Sequence, residues 1–127
     1  MNENELLKRY AAGERDFSGE NLSCTELTGA NLSGINLSGA NLTRAYLNEA
    51  DLSEADLSRA NLEYTRFTNA KLIGANLEEA SLDYAALKSA NLTGANLLNA
   101  KLNKDLSAST LCNTTMPDGS IRNDNCH

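Results

Sequence analysis

A large apolar residue returns at every fifth position from Phe17 to Leu102 without a miss, and that spacing leaves the chain few ways to fold. There are eighteen such positions, Leu in sixteen and Phe at 17 and 67. Two residues before most of them lies a small residue, Ala in thirteen of the eighteen, and between the two lies Asn or Asp in eleven. A five-residue step advances an α-helix by about 500°, so successive leucines would scatter around the cylinder and make no stripe. In one continuous strand, residues five apart face opposite sides, and half the leucines would meet water. A chain that runs extended for about three residues and then turns a corner escapes both contradictions. Ala and Leu, two apart, then share an inner face, and the chain must coil as an all-β solenoid.

The unit resembles the pentapeptide-repeat proteins, whose pattern is A(D/N)LXX, and the match runs from Arg15 to Lys104. That resemblance implies a right-handed, quadrilateral β-helix with four pentapeptides per coil. The Leu and the preceding small residue would lie inside and the other three outside. About four and a half coils, stacked at about 4.8 Å, would give a rod roughly 20 Å long. Each buried Leu or Phe contributes about 1.5 to 3 kcal/mol, which can offset the ordering of a small repetitive chain. Ile35, Thr25 and Thr65 stand where Ala is the rule, and a local adjustment is expected beside Ile35. Arg15 and Glu20 fall on inward positions of the first coil, as if that end were frayed or the two groups paired.

Open ends of a β-helix expose strand edges and apolar side chains unless something covers them. Residues 1–14 are read as a helical cap: Asn2 precedes Glu5 in capping-box spacing, Leu6, Leu7 and Tyr10 share a face, and Gly13 ends the helix. Residues 15–104 form the β-helix, and residues 105–127 an irregular cap or tail. In that tail the step from Leu102 to Leu106 drops to four, after which Leu106, Leu111, Met116 and Ile121 resume a period of five. Pro117, Asp118 and Gly119 mark a turn, so a last partial coil or a small hairpin is expected there. The opening ELLKRYAAGERDF and the ending MPDGSI resemble those of cyanobacterial members of the family.

No apolar run approaches a membrane span and the amino terminus lacks the order of a signal peptide, so a soluble cytoplasmic protein is expected. Eleven Lys and Arg against seventeen Asp and Glu give a net charge of −6, which opposes direct binding to nucleic acid. Cys24, Cys112 and Cys126 lack metal-ligand spacing. Cys112 and Cys126 flank the Pro117 turn, where free thiols are the default in a reducing compartment and a disulfide is the alternative. Catalysis is not expected, because a filled coil leaves nothing concave, Glu78 with Glu79 and Glu63 with Asp83 sit at outward positions, and His127 is terminal. No cofactor or metal site is read.

Residues twenty apart fall on the same face of adjacent coils, so the surface can be read as columns. One column carries Cys24, Arg44, Tyr64, Tyr84 and Lys104, and its neighbour adds Tyr46 and Arg66. Arg44, Tyr46, Tyr64, Arg66, Tyr84 and Lys104 are the candidate interaction patch, with a self-stacking structural ladder as the other reading. The function expected is a non-catalytic scaffold or protein-interaction module, partner unknown, monomer in preference to dimer. The alternative implied by the family is a DNA mimic that binds a type II topoisomerase. Between Arg44 and Lys88, however, eight acids stand against five bases, a mixed surface.

Overall fold

The computed structural model describes residues 1–126. Parallel bridges join residues twenty apart, from Asp16 with Asn36 to Ser81 with Lys101, so each coil takes four five-residue units. The unit around Leu57 shows why five residues suffice. Ala55 N–H donates to Leu52 O across the preceding turn, and Asp56 N–H reaches down to Ile35 O. Leu57 N–H and Arg59 N–H reach up to Asn76 O and Glu78 O. The remaining donor, Ser58 N–H, is answered by the Asp56 carboxylate at 3.0 Å. Every N–H of this unit is thereby used, and the Asn or Asp that precedes the central residue in eleven of the eighteen repeats supplies the acceptor the coil itself cannot. Each corner needs a residue in the left-handed region, which Gly19, Gly39 and Gly94 adopt freely and Arg44, Tyr64 and Tyr84 adopt at φ near 60°.

Inside, the Leu and Ala columns form one continuous core from Phe17 to Ala100, buried throughout except at the half-buried Ala30. Thr25 and Thr65 stay buried because each hydroxyl donates to a carbonyl, of Leu22 and Leu42, at 2.7 Å. The adjustment expected at Ile35 is absent. Its backbone bonds, 3.1 Å to Leu32 O and 2.9 Å from Asp56 N–H, match those at Ala positions. The residue one coil below is Arg15, whose side chain leaves the column, so Ile35 has room. Arg15 and Glu20 also behave differently from expectation. They form no pair, and the backbone is not frayed, since Asn36 N–H and Asn41 N–H bond to their carbonyls. The Arg15 guanidinium instead lies over the Tyr10 ring, 3.7 Å from its centroid, and donates to Tyr10 O and Glu14 O.

The helix α1 spans Glu3–Ala11, with the Asn2 side chain accepting from Glu5 N–H. Gly13 N–H to Tyr10 O and Glu14 N–H to Arg9 O close its end, with Gly13 at positive φ. Leu6 is fully buried in the core, and the Tyr10 hydroxyl donates to Ser33 O at 2.6 Å, so α1 lies over the first coil. Leu7 does not share that face and remains exposed.

At the other end the ladder continues past Lys104. Asn91 pairs with Thr110 and Asn96 with Thr115, a spacing of nineteen that marks the skipped residue. Leu106, Leu111 and Met116 are buried, whereas Ile121 is exposed. The chain then folds back, pairing β1 (Thr114–Thr115) with β2 (Ile121–Arg122) as an antiparallel hairpin. Cys112 and Cys126 are joined by a disulfide in this tail, and Cys24 is free and exposed. His127, read from sequence as a terminal tail residue, lies outside the described residues. No helix among the described residues is long and apolar enough to cross a membrane.

Candidate functional site

The aromatic and basic residues gather on one side of the coil because the repeat's own rule lapses there. In the strand column formed by positions 26, 46, 66 and 86, the expected Asn or Asp is replaced by Glu26, Tyr46, Arg66 and Ala86. Glu26 still accepts from Thr28 N–H, at 2.9 Å. Tyr46, Arg66 and Ala86 cannot accept such a bond. Thr68 N–H turns to the Asn48 side chain one coil below, at 3.2 Å, while Asn48 N–H and Lys88 N–H have no acceptor among the described residues. This side forgoes backbone satisfaction in exchange for large or small side chains on its surface.

Those side chains make specific contacts. The Tyr64 and Tyr84 rings stack with centroids 5.0 Å apart and planes 15° from parallel. The Arg44 guanidinium sits 4.8 Å from the Tyr64 centroid, which makes a three-membered stack up the corner. Arg66 lies 5.0 Å from the Tyr46 centroid on the adjacent strand column. Both guanidiniums are held over aromatic faces, and neither has a carboxylate within salt-bridge distance among the described residues. Tyr84 is 59% exposed and Tyr64 43%, so the stack is a surface feature.

Between the corner bearing Tyr64 and the next corner, bearing Glu49 and Asn69, lies a groove of about 610 Å³. The small Ala86 stands in a column otherwise holding Tyr46 and Arg66, and it deepens the floor beside Tyr84. Asn48 and Thr68 line the groove as well. The expectation that nothing concave remains is therefore corrected: the interior is filled, but the outer surface carries a hollow. Five of the six patch residues, Arg44, Tyr46, Tyr64, Arg66 and Tyr84, line it together. Lys104 does not. The chain leaves the ladder beside it, so Tyr84 N–H bonds to the Asn103 side chain where a backbone carbonyl would otherwise stand, and Lys104 is carried away from the column. Asn48, Glu49, Thr68, Asn69 and Ala86 were not read from sequence, although the interrupted Asn and Asp column at 46, 66 and 86 marks their side.

The residues lining the groove include no Ser, Cys, His or Lys. Glu49 is the one carboxylate lining it, and no cluster of three metal-ligating side chains occurs among the described residues.

Comparison with known proteins places the coil. The family described as Pentapeptide repeats matches eight copies over residues 16–39, 21–59, 35–72 and 70–104. The chain is similar to Rfr23, a pentapeptide repeat protein of the cyanobacterium Cyanothece 51142, at 40% identity and a TM-score of 0.69. That match covers 70% of this chain and 60% of Rfr23, so the chain spans well under the whole of that relative. It is also similar to alr5209, a pentapeptide repeat protein from Nostoc Pcc 7120, at 36% identity and a TM-score of 0.50, over 83% of this chain and 89% of that one. The likeness assigns the coil to the right-handed β-helix. No curated protein matches the chain.

Proposed function

Since this chain belongs to the pentapeptide-repeat family, we propose that it is a non-catalytic β-helical scaffold that docks another protein on the side bearing Tyr64 and Tyr84. One observation carries the reading: three tyrosines and two arginines line a single groove on a coil whose other surfaces are mainly Ser, Asn and acid. Tyr and Arg are enriched among the residues that dominate the energetics of protein interfaces, Tyr because it buries a large area at little entropic cost and Arg because its planar fork pairs with acceptors and stacks on aromatic rings. In this reading the coil has four flat sides, α1 and the tail close its two ends, and the protein acts as a monomer without a cofactor. The cytoplasmic location expected from sequence stands against the Cys112–Cys126 bond, since disulfides rarely persist in reducing compartments. DNA mimicry toward a topoisomerase gains no support, because Arg44, Arg59, Arg66, Lys71 and Lys88 interrupt the negative surface it requires.

Photo-crosslinking in cells of the source organism tests the docking reading. A benzophenone side chain placed at Tyr84 should yield a defined adduct, and one placed at Glu79, on another corner, should not. Equal adducts at both positions, or none at Tyr84, would defeat it.

A further inference from the structure

We infer that the groove recognises an extended acidic segment of its partner, with Arg44 and Arg66 each taking one carboxylate from residues two apart in that segment. The inference rests on the docking reading above and gives it a ligand chemistry. Arg44 and Arg66 both line the groove, both are exposed, and both lack a carboxylate partner among the described residues. Each guanidinium is parked over a tyrosine face, Arg44 on Tyr64 and Arg66 on Tyr46. Such stacking leaves the N–H edge free, and that edge matches a carboxylate's two oxygens. Part of the entropy that an arginine loses on binding is already spent.

Spacing selects the form of the ligand. Arg66 lies one coil above Tyr46, and Tyr46 lies two residues beyond Arg44. Each guanidinium rests on the other's rung, Arg44 over Tyr64 and Arg66 over Tyr46, so the two tyrosines that carry them are separated at their backbones by one rung of about 4.8 Å and two residues of about 3.3 Å each, on the order of 8 Å. In an extended peptide, side chains two residues apart share a face at about 7 Å. Asn48, whose N–H has no acceptor among the described residues, lines the same groove and offers the segment a further donor.

Charge selects against the competitors. The two guanidiniums sit at separate tyrosines, which suits two single charges better than one dianion, and together they outnumber Glu49, the one carboxylate lining the groove. Elsewhere the protein is acidic, with a net charge of −6, so an acidic segment is turned away from the other sides and directed to this one.

The test is fluorescence anisotropy with a labelled synthetic peptide of alternating Thr and Glu, against the matching Thr and Gln peptide and a Thr and phosphoserine peptide. The Glu peptide should bind the intact protein at least about tenfold more tightly than the Gln peptide. Arg44→Gln and Arg66→Gln should each weaken it about tenfold, and the double Arg→Lys variant, which keeps the charge, by about fivefold. Both side chains are exposed, and unchanged circular dichroism of the variants will show that the fold survives. Equal binding of the Glu and Gln peptides, undiminished binding by the Arg→Lys variant, or binding of the phosphoserine peptide alone overturns the inference. If the Tyr84 crosslink persists while the Glu peptide fails, the groove still docks a protein but by other chemistry. If the peptide binds and the crosslink is absent, the docking reading fails and the acidic-ligand site stands.

Discussion

Two sides of one coil are built on the same interior and finished differently outside. On the side carrying Asp16, Asn36, Asp56, Asn76 and Asn96, every rung has its side-chain acceptor, bonded to the N–H of Ser18, Ser38, Ser58, Glu78 and Leu98. On the side carrying Glu26, Tyr46, Arg66 and Ala86, only Glu26 supplies that bond from within its own repeat. Behind both sides the leucines and alanines are equally buried. The difference teaches that stability here is divided into an inner share, common to all sides, and an outer share that this side has largely relinquished, whereas the two remaining sides lack the Asn or Asp acceptor only at Lys71, Ser81 and Lys101. Where a protein breaks a local rule that its neighbours keep, the surface is a candidate for work other than folding.

The largest effect should not distinguish the sides at all. Leu57→Ala, behind Asp56, and Leu47→Ala, behind Tyr46, each remove a fully buried side chain and should each cost about 2 to 5 kcal/mol in urea denaturation. A much smaller loss for Leu47→Ala would break the comparison, since it would mean the groove side is loosely packed to its core.

The outer share should separate them. Asn76→Ala leaves Glu78 N–H without its acceptor and should destabilise by about 0.5 to 1.5 kcal/mol. Ala86→Asn supplies an acceptor within reach of Lys88 N–H, and it should raise the melting temperature while filling the groove floor. Loss of stability on Ala86→Asn would show that the missing bond is not the cost that this side bears.

The coil and its two-residue-apart inner face were legible from the spacing alone, because no helix or flat strand can bury residues five apart. The ends were only partly legible. Leu7 and Ile121 fit an apolar pattern yet are exposed, since α1 and the hairpin each touch the core along one narrow line. Column arithmetic brought Arg44, Tyr64 and Tyr84 together correctly and failed at Lys104, because one residue is skipped before Thr110 and the strand leaves the ladder. The groove itself was not read: a column lists what lies above what, and says nothing of the hollow that Ala86 opens beside Tyr84.

A smaller effect tests whether the tyrosine stack is retained for stability. Tyr64 and Tyr84 occupy corners at positive φ, where a non-Gly residue costs about 1 to 2 kcal/mol. Their stacking returns about 0.5 to 1.5 kcal/mol. Over the two residues the strain comes to about 2 to 4 kcal/mol, and the stack together with the greater backbone freedom of two glycines in the unfolded chain, about 0.5 to 1 kcal/mol each, offsets most of it, so Tyr64→Gly with Tyr84→Gly should change stability by under about 1 kcal/mol. Replacement by Ser, which keeps the strain and loses the stack, should be the less stable pair. A large loss on going to Gly would make the stack structural and remove the contrast between the two sides.

The smallest effect concerns acid. Asp16 is held below the usual carboxylate range by the Ser18 hydroxyl and N–H, and Asp51 by the Ser53 N–H and side chain. On the groove side, Thr28 lowers Glu26 in the same way. A carboxylate harder to protonate when folded than when unfolded stabilises fully above its unfolded pKa and loses that contribution as pH falls through the lower folded value. Melting temperature should therefore fall below about pH 4 on account of these groups. Asp16→Asn with Asp51→Asn keeps the turn acceptors and removes the titration, so the fall should become shallower with little change at neutral pH. Were the neutral-pH stability to drop as well, the negative charge and not the acceptor geometry would be what these positions require, and the Asn found at eight of the eighteen rungs would need another explanation.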